Sequence, residues 1–272
     1  MEREDFLLAH LRDLSRRTYQ NAYLTHSNFL SEAELARASD MLSREGMSGQ
    51  GNAPFFSYGG WEEAERRVLV FLPEYLTQEE FLYAERQEST VVALLHVFPR
   101  NHRFAEPLGH RDYLGSLMQL GLEREQIGDI LVGNHREEEP DSKDEAYLYV
   151  MADRAELIAA ELRRVRHSTV VCERVPLTDC RLGKRFRELS GSVASERLDA
   201  VLAMAYHLSR GRAQELIGAE LVRIDGRTAD SAGTLLREGQ RVSARGLGKF
   251  LYLGTGSRTK KGRVYASVRL YV

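Results

Sequence analysis

The hydrophobic and polar positions of the first third predict two helices and one buried strand. Apolar side chains recur at helical spacing near the start, and Ser31 with Glu34 forms a capping box before the second such pattern. The glycine-rich stretch GMSGQGNAPFFSYGG predicts a long loop before the apolar run RRVLVFLP. In chain order we expect a helix over residues 2–18, a helix from Ser31 to Gly46, a loop over 46–60 and a strand over 66–73.

The middle third alternates strand and helix patterns in the order βαββαβ. Apolar runs such as VVALLHVFP and AYLYVM indicate buried strands, and EEEPDSKDE, residues 137–145, predicts an acidic loop. This order is the ferredoxin-like arrangement found in many RNA-recognition motif (RRM) domains. AYLYVM lacks the aromatic signature of an RRM strand, so RNA binding here would need another route. The predicted strands span 91–99, 127–133, 146–151 and 168–175, and the predicted helices span 110–122 and 153–165.

The last third predicts a small α+β domain after a linker. Glycine, serine and charged residues over 177–195 predict the linker, and Leu198, Val201, Leu202 and Ala205 mark the inward face of the first helix. We expect helices over 195–208 and 209–220, a strand and turn over 221–230, a strand over 240–246, and a hairpin over 250–272 with a basic tip. The predicted fold class is α+β, with an N-terminal α/β region (1–76), a ferredoxin-like or RRM-like domain (77–180) and a C-terminal domain (181–272, core 195–250).

Composition indicates a globular protein without cofactor or metal. The chain has 272 residues, of which 43% are apolar, enough for a sizeable core. Its charged N-terminus and the lack of any apolar run of about 18 residues predict neither a signal peptide nor a membrane span, so we expect a cytoplasmic protein. Cys172 and Cys180 are expected to be reduced thiols. The histidines lie on different predicted elements without metal-site spacing, namely His96, His102, His110 and His135.

Charge is distributed very unequally along the chain. Residues 181–272 contain 18 Lys and Arg against 8 Asp and Glu, a net charge of +10, whereas residues 1–180 carry −12. Summed positive charge steers a protein toward polyanions, and counterion release drives the binding. The last third is therefore predicted to bind a polyanion, and the alternative is a solvated basic surface. The acidic remainder is expected to position the protein or to meet a protein partner.

The segment HLSRGRAQELI, residues 207–217, carries two arginines at an unfavourable place. Ser209 is a good helix N-cap, so Arg210 and Arg212 fall in the first turn, where the helix already carries about half a positive charge. A phosphate bound at the free N–H groups would turn this repulsion into attraction. We therefore hypothesise a phosphate site here; the alternative is an exposed first turn that tolerates both arginines.

The same region resembles the S-four RNA-binding domain of small-subunit ribosomal protein four. The matching segments are RLDAVLAMAYHLSRGRAQELI, LVRIDGR and EGQRVSARGLGKF. Three residues depart from the family pattern: Glu220 stands for a glycine, Asp225 for an asparagine and Gln240 for an aspartate. The resemblance implies an S-four fold of the αL type with RNA-contacting positions at Arg197, Ser209, Arg210, Arg212, Gln214, Arg245 and Lys249. The hairpin tip would extend this surface through Arg258, Lys260, Lys261 and Arg263, unless it is only a solvated loop.

Enzymes that carry S-four domains are disfavoured by the upstream sequence. It contains neither the signature pair of tyrosyl-tRNA synthetases, nor a pseudouridine-synthase aspartate motif, nor a strand-linked G-x-G-x-x-G for a methyl donor. Asp112 and Asp129 are more simply explained by helix capping or core hydrogen bonds than by a catalytic pair, and Trp61 by packing rather than base stacking. No catalytic residue is predicted, although an RNA-modifying enzyme with an S-four delivery domain stays an alternative.

Two further segments resemble the YlmH-like family of bacterial proteins. They are FFSYGGWEEAERR, residues 55–67, and HRDYLGSLMQLGLEREQIGDILV, residues 110–132. Members have an N-terminal region, an RRM-like domain and a C-terminal S-four domain. The resemblance implies a non-enzymatic protein that binds structured rRNA or tRNA on the large ribosomal subunit, in rescue or quality control of stalled translation. A link to cell division is also implied, so a division-associated adaptor is the other alternative.

Overall fold

The computed structural model describes residues 2–44, 51–133, 145–183, 186–258 and 263–271. The chain divides into two compact units, residues 1–183 (the first unit) and residues 184–272 (the second unit). Both mix helices and sheets, which confirms the α+β fold class. The predicted domain boundary at residue 76 stays a prediction. Among the described helices, none has the length and apolar content needed to cross a membrane.

The start of the first unit combines three helices with a three-stranded sheet. The predicted capping box is confirmed, because the Ser31 hydroxyl and backbone N–H both donate to a Glu34 carboxylate oxygen, at 2.7 and 2.8 Å. The sheet has the order β1-β3-β2 and is antiparallel. The elements are α1 (Glu2–Asn21), β1 (Thr25–His26), α2 (Glu32–Arg44), β2 (Phe55–Tyr58), β3 (Val68–Phe71) and α3 (Gln78–Glu88).

Two of these elements correct the sequence prediction. β2 lies inside the predicted loop over 46–60. Its four residues are too few to show an alternating pattern in the sequence, but all four pair with β3 in the fold. α3 was not predicted, although its start carries a capping box in which Thr77 and Glu80 hydrogen-bond to each other's backbone N–H.

The middle of the chain confirms the ferredoxin-like arrangement. Its antiparallel sheet has the order β5-β6-β4-β8, extended by the short β7, so the last strand of the βαββαβ unit lies beside the first. The predicted acidic loop over 137–145 lies outside the described residues except for Glu145. The elements are β4 (Val92–Pro99), α4 (His110–Gln119), β5 (Ile127–Val132), β6 (Ala146–Met151), α5 (Ala152–Glu161), β7 (Arg164–Val165) and β8 (Ser168–Val175).

Side chains that alternate along the strands pack the first unit in layers. In β3, Leu69 and Phe71 face the cluster that contains residues of α1 and α2, whereas Val68 and Val70 face the ferredoxin-like sheet. The other face of that sheet packs on α4 and α5. Trp61 stacks on Tyr149 of β6, with ring centroids 5.9 Å apart and planes at 13°, which confirms its predicted packing role. The sheet face that an RRM uses for stacking bases is thus largely covered from within the chain.

Both cysteines are free thiols, as predicted. Cys172 is buried in the core between the ferredoxin-like sheet and its helices. Burial raises the pKa of its thiol to about 12, so the thiolate required for reaction is scarce at neutral pH.

The second unit packs two helices on a six-stranded antiparallel sheet of order β11-β10-β12-β13-β14-β9. The four inward positions predicted for the first helix are all buried. The predicted linker over 177–195 is wrong in its second half, since residues 186–193 form an edge strand that pairs with β14 over eight positions. The elements are β9 (Phe186–Val193), α6 (Leu198–Ala205), α7 (Arg210–Gly218), β10 (Val222–Ile224), β11 (Arg227–Thr228), β12 (Arg241–Ala244), β13 (Gly248–Arg258) and β14 (Val264–Tyr271).

Phe29 fills the space between the two sheets of the first unit and is fully buried. We expect Phe29→Ala to lower the free energy of unfolding by about 3 to 4 kcal/mol, because the cavity is bounded by two sheets that cannot collapse onto it. Trp61, the single tryptophan, lies in the same cluster, so its fluorescence during urea denaturation reports on this unit. Phe6→Ala is the control, since Phe6 is 76% exposed; equal midpoints for both variants would contradict the layered core.

Candidate nucleic-acid interface

Helix α7 begins as the sequence predicts. The Ser209 side chain accepts a hydrogen bond from the Arg212 backbone N–H at 3.1 Å, and the apolar face of the helix is buried through Ala213, Leu216 and Ile217. Arg210 and Arg212 therefore lie in the exposed first turn, with no acidic residue in that turn.

A buried carboxylate lies beside this turn. Asp199, in the first turn of α6, is fully buried and accepts five hydrogen bonds from side chains. Arg197 and Arg210 each donate from Nε and Nη2, at 3.1 to 3.2 Å, and Gln214 donates from Nε2 at 2.8 Å. We call these four residues the Asp199 cluster. It joins α6 to α7 and brings together three of the residues predicted from the S-four resemblance.

The Asp199 cluster corrects the explanation given for the misplaced arginines. The sequence favoured a bound phosphate as the compensating charge, but in the folded protein Asp199 supplies it from the preceding helix. Burial by itself would raise the pKa of Asp199, yet hydrogen bonds from Arg210, Gln214 and Arg197 outweigh it and lower the pKa to about 2. Sequence reasoning missed this role because 11 to 15 residues separate Asp199 from Arg210 and Gln214, and only the α6–α7 packing brings them together.

The arginines nevertheless keep an open positive surface. The side chains of Arg197 and Arg210 are 40% and 46% exposed. Arg210 uses two N–H groups on Asp199, which leaves three of its five donors for other acceptors. Arg212 is 58% exposed and contacts Glu215 at 2.8 Å, a surface pair of the kind that contributes about 0 to 1 kcal/mol. Asp199 therefore orients the arginines while their outer edges stay accessible.

A groove next to Arg210 includes one of the predicted hairpin residues. It has a volume of about 470 Å³ and is lined by Arg210, Arg263, His207 and the β9 segment 189–193. Arg263 is held against β9, where its Nε donates to the Ser192 hydroxyl at 2.9 Å and its Nη2 to the Ser192 carbonyl at 2.6 Å. Arg210 and Arg263, 53 residues apart in sequence, thus line one groove. Sequence reasoning missed the contribution of β9, which it assigned to the linker.

The other predicted residues lie elsewhere or outside the described chain. The Arg245 backbone N–H bonds the carbonyl of Leu221 at 2.9 Å, just beyond the C-terminal end of α7, whereas the Asp199 cluster lies at its N-terminal end. Lys249 follows on β13 and is half-buried. Arg258 ends the β13 strand, and Lys260 and Lys261 lie outside the described residues.

The departures from the S-four pattern have structural reasons. Glu220 has a φ of 58°, the left-handed conformation that explains why glycine is usual there. Asp225 and Gly226 both have positive φ in the turn between β10 and β11, as the Asp-Gly pair of a tight hairpin requires. One oxygen of Asp225 accepts from the Arg241 backbone N–H at 2.9 Å and the other from Gln240 at 3.3 Å. Asp225 and Gln240 thus stabilise this turn together.

The predicted structural roles of Asp112 and Asp129 are confirmed. Asp112 caps the start of α4 by accepting from the Gly109 N–H at 2.8 Å. Asp129 accepts from the backbone N–H groups of Glu65 and Arg66 at 2.9 and 3.0 Å. Within the described parts of the chain, no three His, Cys, Asp or Glu side chains are grouped closely enough to hold a metal ion.

Removing the buried charge should destabilise the second unit. We expect Asp199→Asn to lower its free energy of unfolding by about 3 kcal/mol, because Arg197 and Arg210 then face each other without a carboxylate. Hydrogen exchange of the α6 and α7 amides in the full chain measures the loss. Glu215→Gln removes a carboxylate from an exposed ion pair on α7 and should change stability by less than about 0.5 kcal/mol. Equal effects of the two substitutions would show that Asp199 does not hold the helices.

The stability that Asp199 contributes to the second unit should depend on pH. Folding lowers the pKa of Asp199 from 3.8 to about 2, so its contribution is complete above about pH 4 and is lost as the pH falls through 2. The urea midpoints of wild type and Asp199→Asn, followed by NMR amide signals of α6 and α7, should therefore converge between pH 5 and pH 2. A difference that stays constant over this range would contradict the assignment.

Comparison with known proteins agrees with this architecture. The putative RNA-binding domain in YlmH matches residues 88–179, and the S4 domain, the S-four domain named above, matches residues 196–242. The ribosome-associated protein quality control protein P2 of Bacillus subtilis (strain 168) is 30% identical over 221 residues, which cover 80% of this chain and 78% of that protein.

A solved structure, that of the cell division protein ylmH from Streptococcus pneumoniae, is 19% identical with a TM-score of 0.46 and covers 66% of this chain and 95% of that chain. The identity and coverage of the Bacillus relative confirm the resemblance drawn from the sequence. The chain, which contains matches to both the putative RNA-binding domain in YlmH and the S4 domain, therefore belongs to the YlmH-like family.

Proposed function

We propose that this protein is a non-enzymatic RNA-binding factor of the cytoplasm that associates with ribosomes. On this proposal it binds structured rRNA or tRNA on the large subunit through the second unit and acts in quality control of stalled translation. The name of the Bacillus subtilis relative describes ribosome-associated protein quality control for that protein, and the matches to the putative RNA-binding domain in YlmH and to the S4 domain support RNA binding.

The observation that carries the proposal is the half-exposed pair Arg197 and Arg210, held in place by Asp199. A guanidinium that is already oriented loses little conformational freedom when it binds, and its fork matches the oxygens of a phosphate. Arg212 and Arg263 add exposed cations beside them, and the groove between Arg210 and Arg263 is open to solvent. This arrangement suits phosphate groups of a folded RNA better than a single small anion.

The proposal assigns binding and no chemistry to the protein. The carboxylates of the Asp199 cluster and of Asp112 and Asp129 are engaged in ion pairs, caps or backbone hydrogen bonds. General acid–base catalysis instead needs a titrating group near neutral pH within reach of a substrate, whereas the pKa of Asp199 is lowered to about 2.

Binding should depend steeply on salt. Neutralising four to six phosphates predicts a log–log slope of affinity against salt of roughly −3 to −5. Arg210→Gln combined with Arg212→Gln should weaken binding to purified large ribosomal subunits by about 1 to 3 kcal/mol for each arginine that no longer meets a phosphate, and should make the slope shallower. Co-sedimentation over a range of KCl concentrations gives both quantities.

Three controls make this test specific. Arg223→Gln with Arg237→Gln removes the same charge from exposed positions elsewhere on the second unit and should leave binding close to wild type. Arg212→Gln alone preserves every bond of the Asp199 cluster, so weaker binding by this variant cannot come from a disturbed helix. If the first double variant is folded by hydrogen exchange and binds like wild type, the proposed interface is wrong. Mass changes in RNA incubated with the protein would instead indicate a modifying enzyme.

A further inference from the structure

The first unit cannot bind RNA in the manner of an RRM over most of its ferredoxin-like sheet. Tyr149 on the third strand lies under Trp61, and Val68 and Val70 cover the neighbouring part of the face. At the end of the sheet, His96 stacks on Tyr147 with ring centroids 4.5 Å apart. The Glu145 carboxylate, however, lies 2.6 Å from His96 Nε2. A carboxylate at that place repels a phosphate backbone. An RNA surface on this unit therefore has to lie elsewhere.

Three arginines converge on the opposite side of the unit, where α4 lies beside β7. Arg111, Arg164 and Arg166 line a cleft of about 420 Å³, which we call the arginine cleft. On α4, residues 111, 115 and 119 share one helix face. Val165 of β7 is buried, whereas Arg164 before it and Arg166, the first residue of the following turn, are exposed. Among the described residues that line it, Asp112 is the only carboxylate, and it already caps α4 while lying 3.6 Å from Arg166.

The floor of the arginine cleft is open. A side chain added at Gly115 would meet no atom within 4 Å of its Cβ. Arg111, Arg164 and Arg166 are all exposed, and the Arg166 side chain is 54% accessible. The cleft thus has room for a ligand group between cationic walls.

The turn that carries Arg166 has a strained backbone. Arg166 has a φ of 52°, and with His167 it forms the two-residue turn between β7 and β8. Glycine or asparagine adopts this left-handed conformation readily, whereas an arginine there is strained. His167 lines a second cleft on the other side of the turn, together with Arg100. The two residues of the turn therefore line two different clefts.

The loop before α4 is fastened to the same turn. The His167 backbone N–H donates to a Glu106 carboxylate oxygen at 2.8 Å, and the Glu106 N–H donates to the Ser168 hydroxyl at 3.1 Å. The Arg100 N–H bonds the Thr169 carbonyl at 3.0 Å. These bonds join segments 100–112 and 164–169 into one surface. Arginines concentrate there although residues 1–180 carry a net charge of −12.

We propose that the arginine cleft and the adjoining β7–β8 turn form a second RNA-binding surface, which contacts the phosphate backbone of ribosomal RNA. Arginine forks around an open cleft suit closely spaced phosphates, because each guanidinium can donate two parallel hydrogen bonds to the oxygens of one phosphate. This inference rests on the proposed function, because it needs the protein to meet RNA at all.

The test uses the full chain and purified, protein-free large-subunit ribosomal RNA. Replacing Arg111, Arg164 and Arg166 together by glutamine should weaken binding at least about tenfold at moderate salt, and should make the log–log salt slope shallower by about 2. The matched control replaces Arg16, Arg44 and Arg86, three exposed arginines of the same unit, by glutamine. We expect this control to bind within about twofold of wild type, because it removes the same charge away from the cleft.

A second pair of variants keeps every arginine in place. Gly115→Glu puts a carboxylate into the cleft on a helical position with free space around it, whereas Gly115→Ala adds only a methyl group. We expect Gly115→Glu to bind RNA several-fold more weakly and Gly115→Ala to bind like wild type. Alanine and glutamate both favour a helix more than glycine does, so weaker RNA binding by either variant would not be explained by unfolding of α4. Trp61 fluorescence confirms that the unit is intact.

The outcomes separate this inference from the proposed function. Equal affinity and equal salt slope for the triple variant, the triple control and wild type would overturn the second surface while leaving the Arg210 result untouched. Reduced association with ribosomes but unchanged binding to protein-free RNA would identify an acidic protein as the partner and would overturn it too. If wild type binds no RNA, the proposed function and this inference fail together.

Discussion

The burial of one carboxylate, Asp199, is the constraint on which the second unit depends. A carboxylate that is fully removed from water must be matched by donors, and here Asp199 on α6 receives them from Arg197, the residue before α6, and from Arg210 and Gln214 on α7. The same bonds hold the two helices in one geometry and hold the guanidinium groups in one orientation. Stability and site geometry are therefore set by a single interaction. This is why Arg210 lies at a helix start, where an unpaired arginine would be unfavourable.

A second constraint shapes the first unit. A four-residue strand, β3, buries both of its faces, so the small sheet has to pack between two helices and the ferredoxin-like sheet. As a result, the sheet face that stacks bases in an RRM is buried in the core here and is not available to RNA. Surfaces that remain for a nucleic acid are those at the helices and turns. The tyrosines of β6, Tyr147 and Tyr149, are consequently packing residues rather than a binding platform.

The sequence predicted those features that depend on residues close together along the chain. The buried face of α6, the N-cap at Ser209 and the ferredoxin-like order all follow from periodicity and capping. β9 did not, because an edge strand with the sequence FRELSGSV has few apolar side chains and gains its structure by pairing with β14, some 70 residues later. The Asp199 cluster was half predicted: its donors were named from a resemblance, but its acceptor became visible only with the packing of α6 on α7. The arginine cleft joins residues 111–119 to residues 164–166, and each of these segments looks like ordinary polar surface in the sequence.

The acidic surroundings of the first unit bear on how two basic surfaces could act together. An arginine cleft within a unit of net negative charge repels a polyanion that approaches at random and attracts one only where phosphates reach the cleft. The second unit has 17 Lys and Arg against 8 Asp and Glu, and this net charge of +9 supplies general attraction. Because both surfaces belong to one chain, binding through the second unit raises the effective concentration of RNA at the first. If both proposals hold, affinity comes mainly from the second unit, and discrimination between RNA shapes comes from the first unit. The arginines of the first unit act only where the fold of the RNA brings its backbone into the arginine cleft.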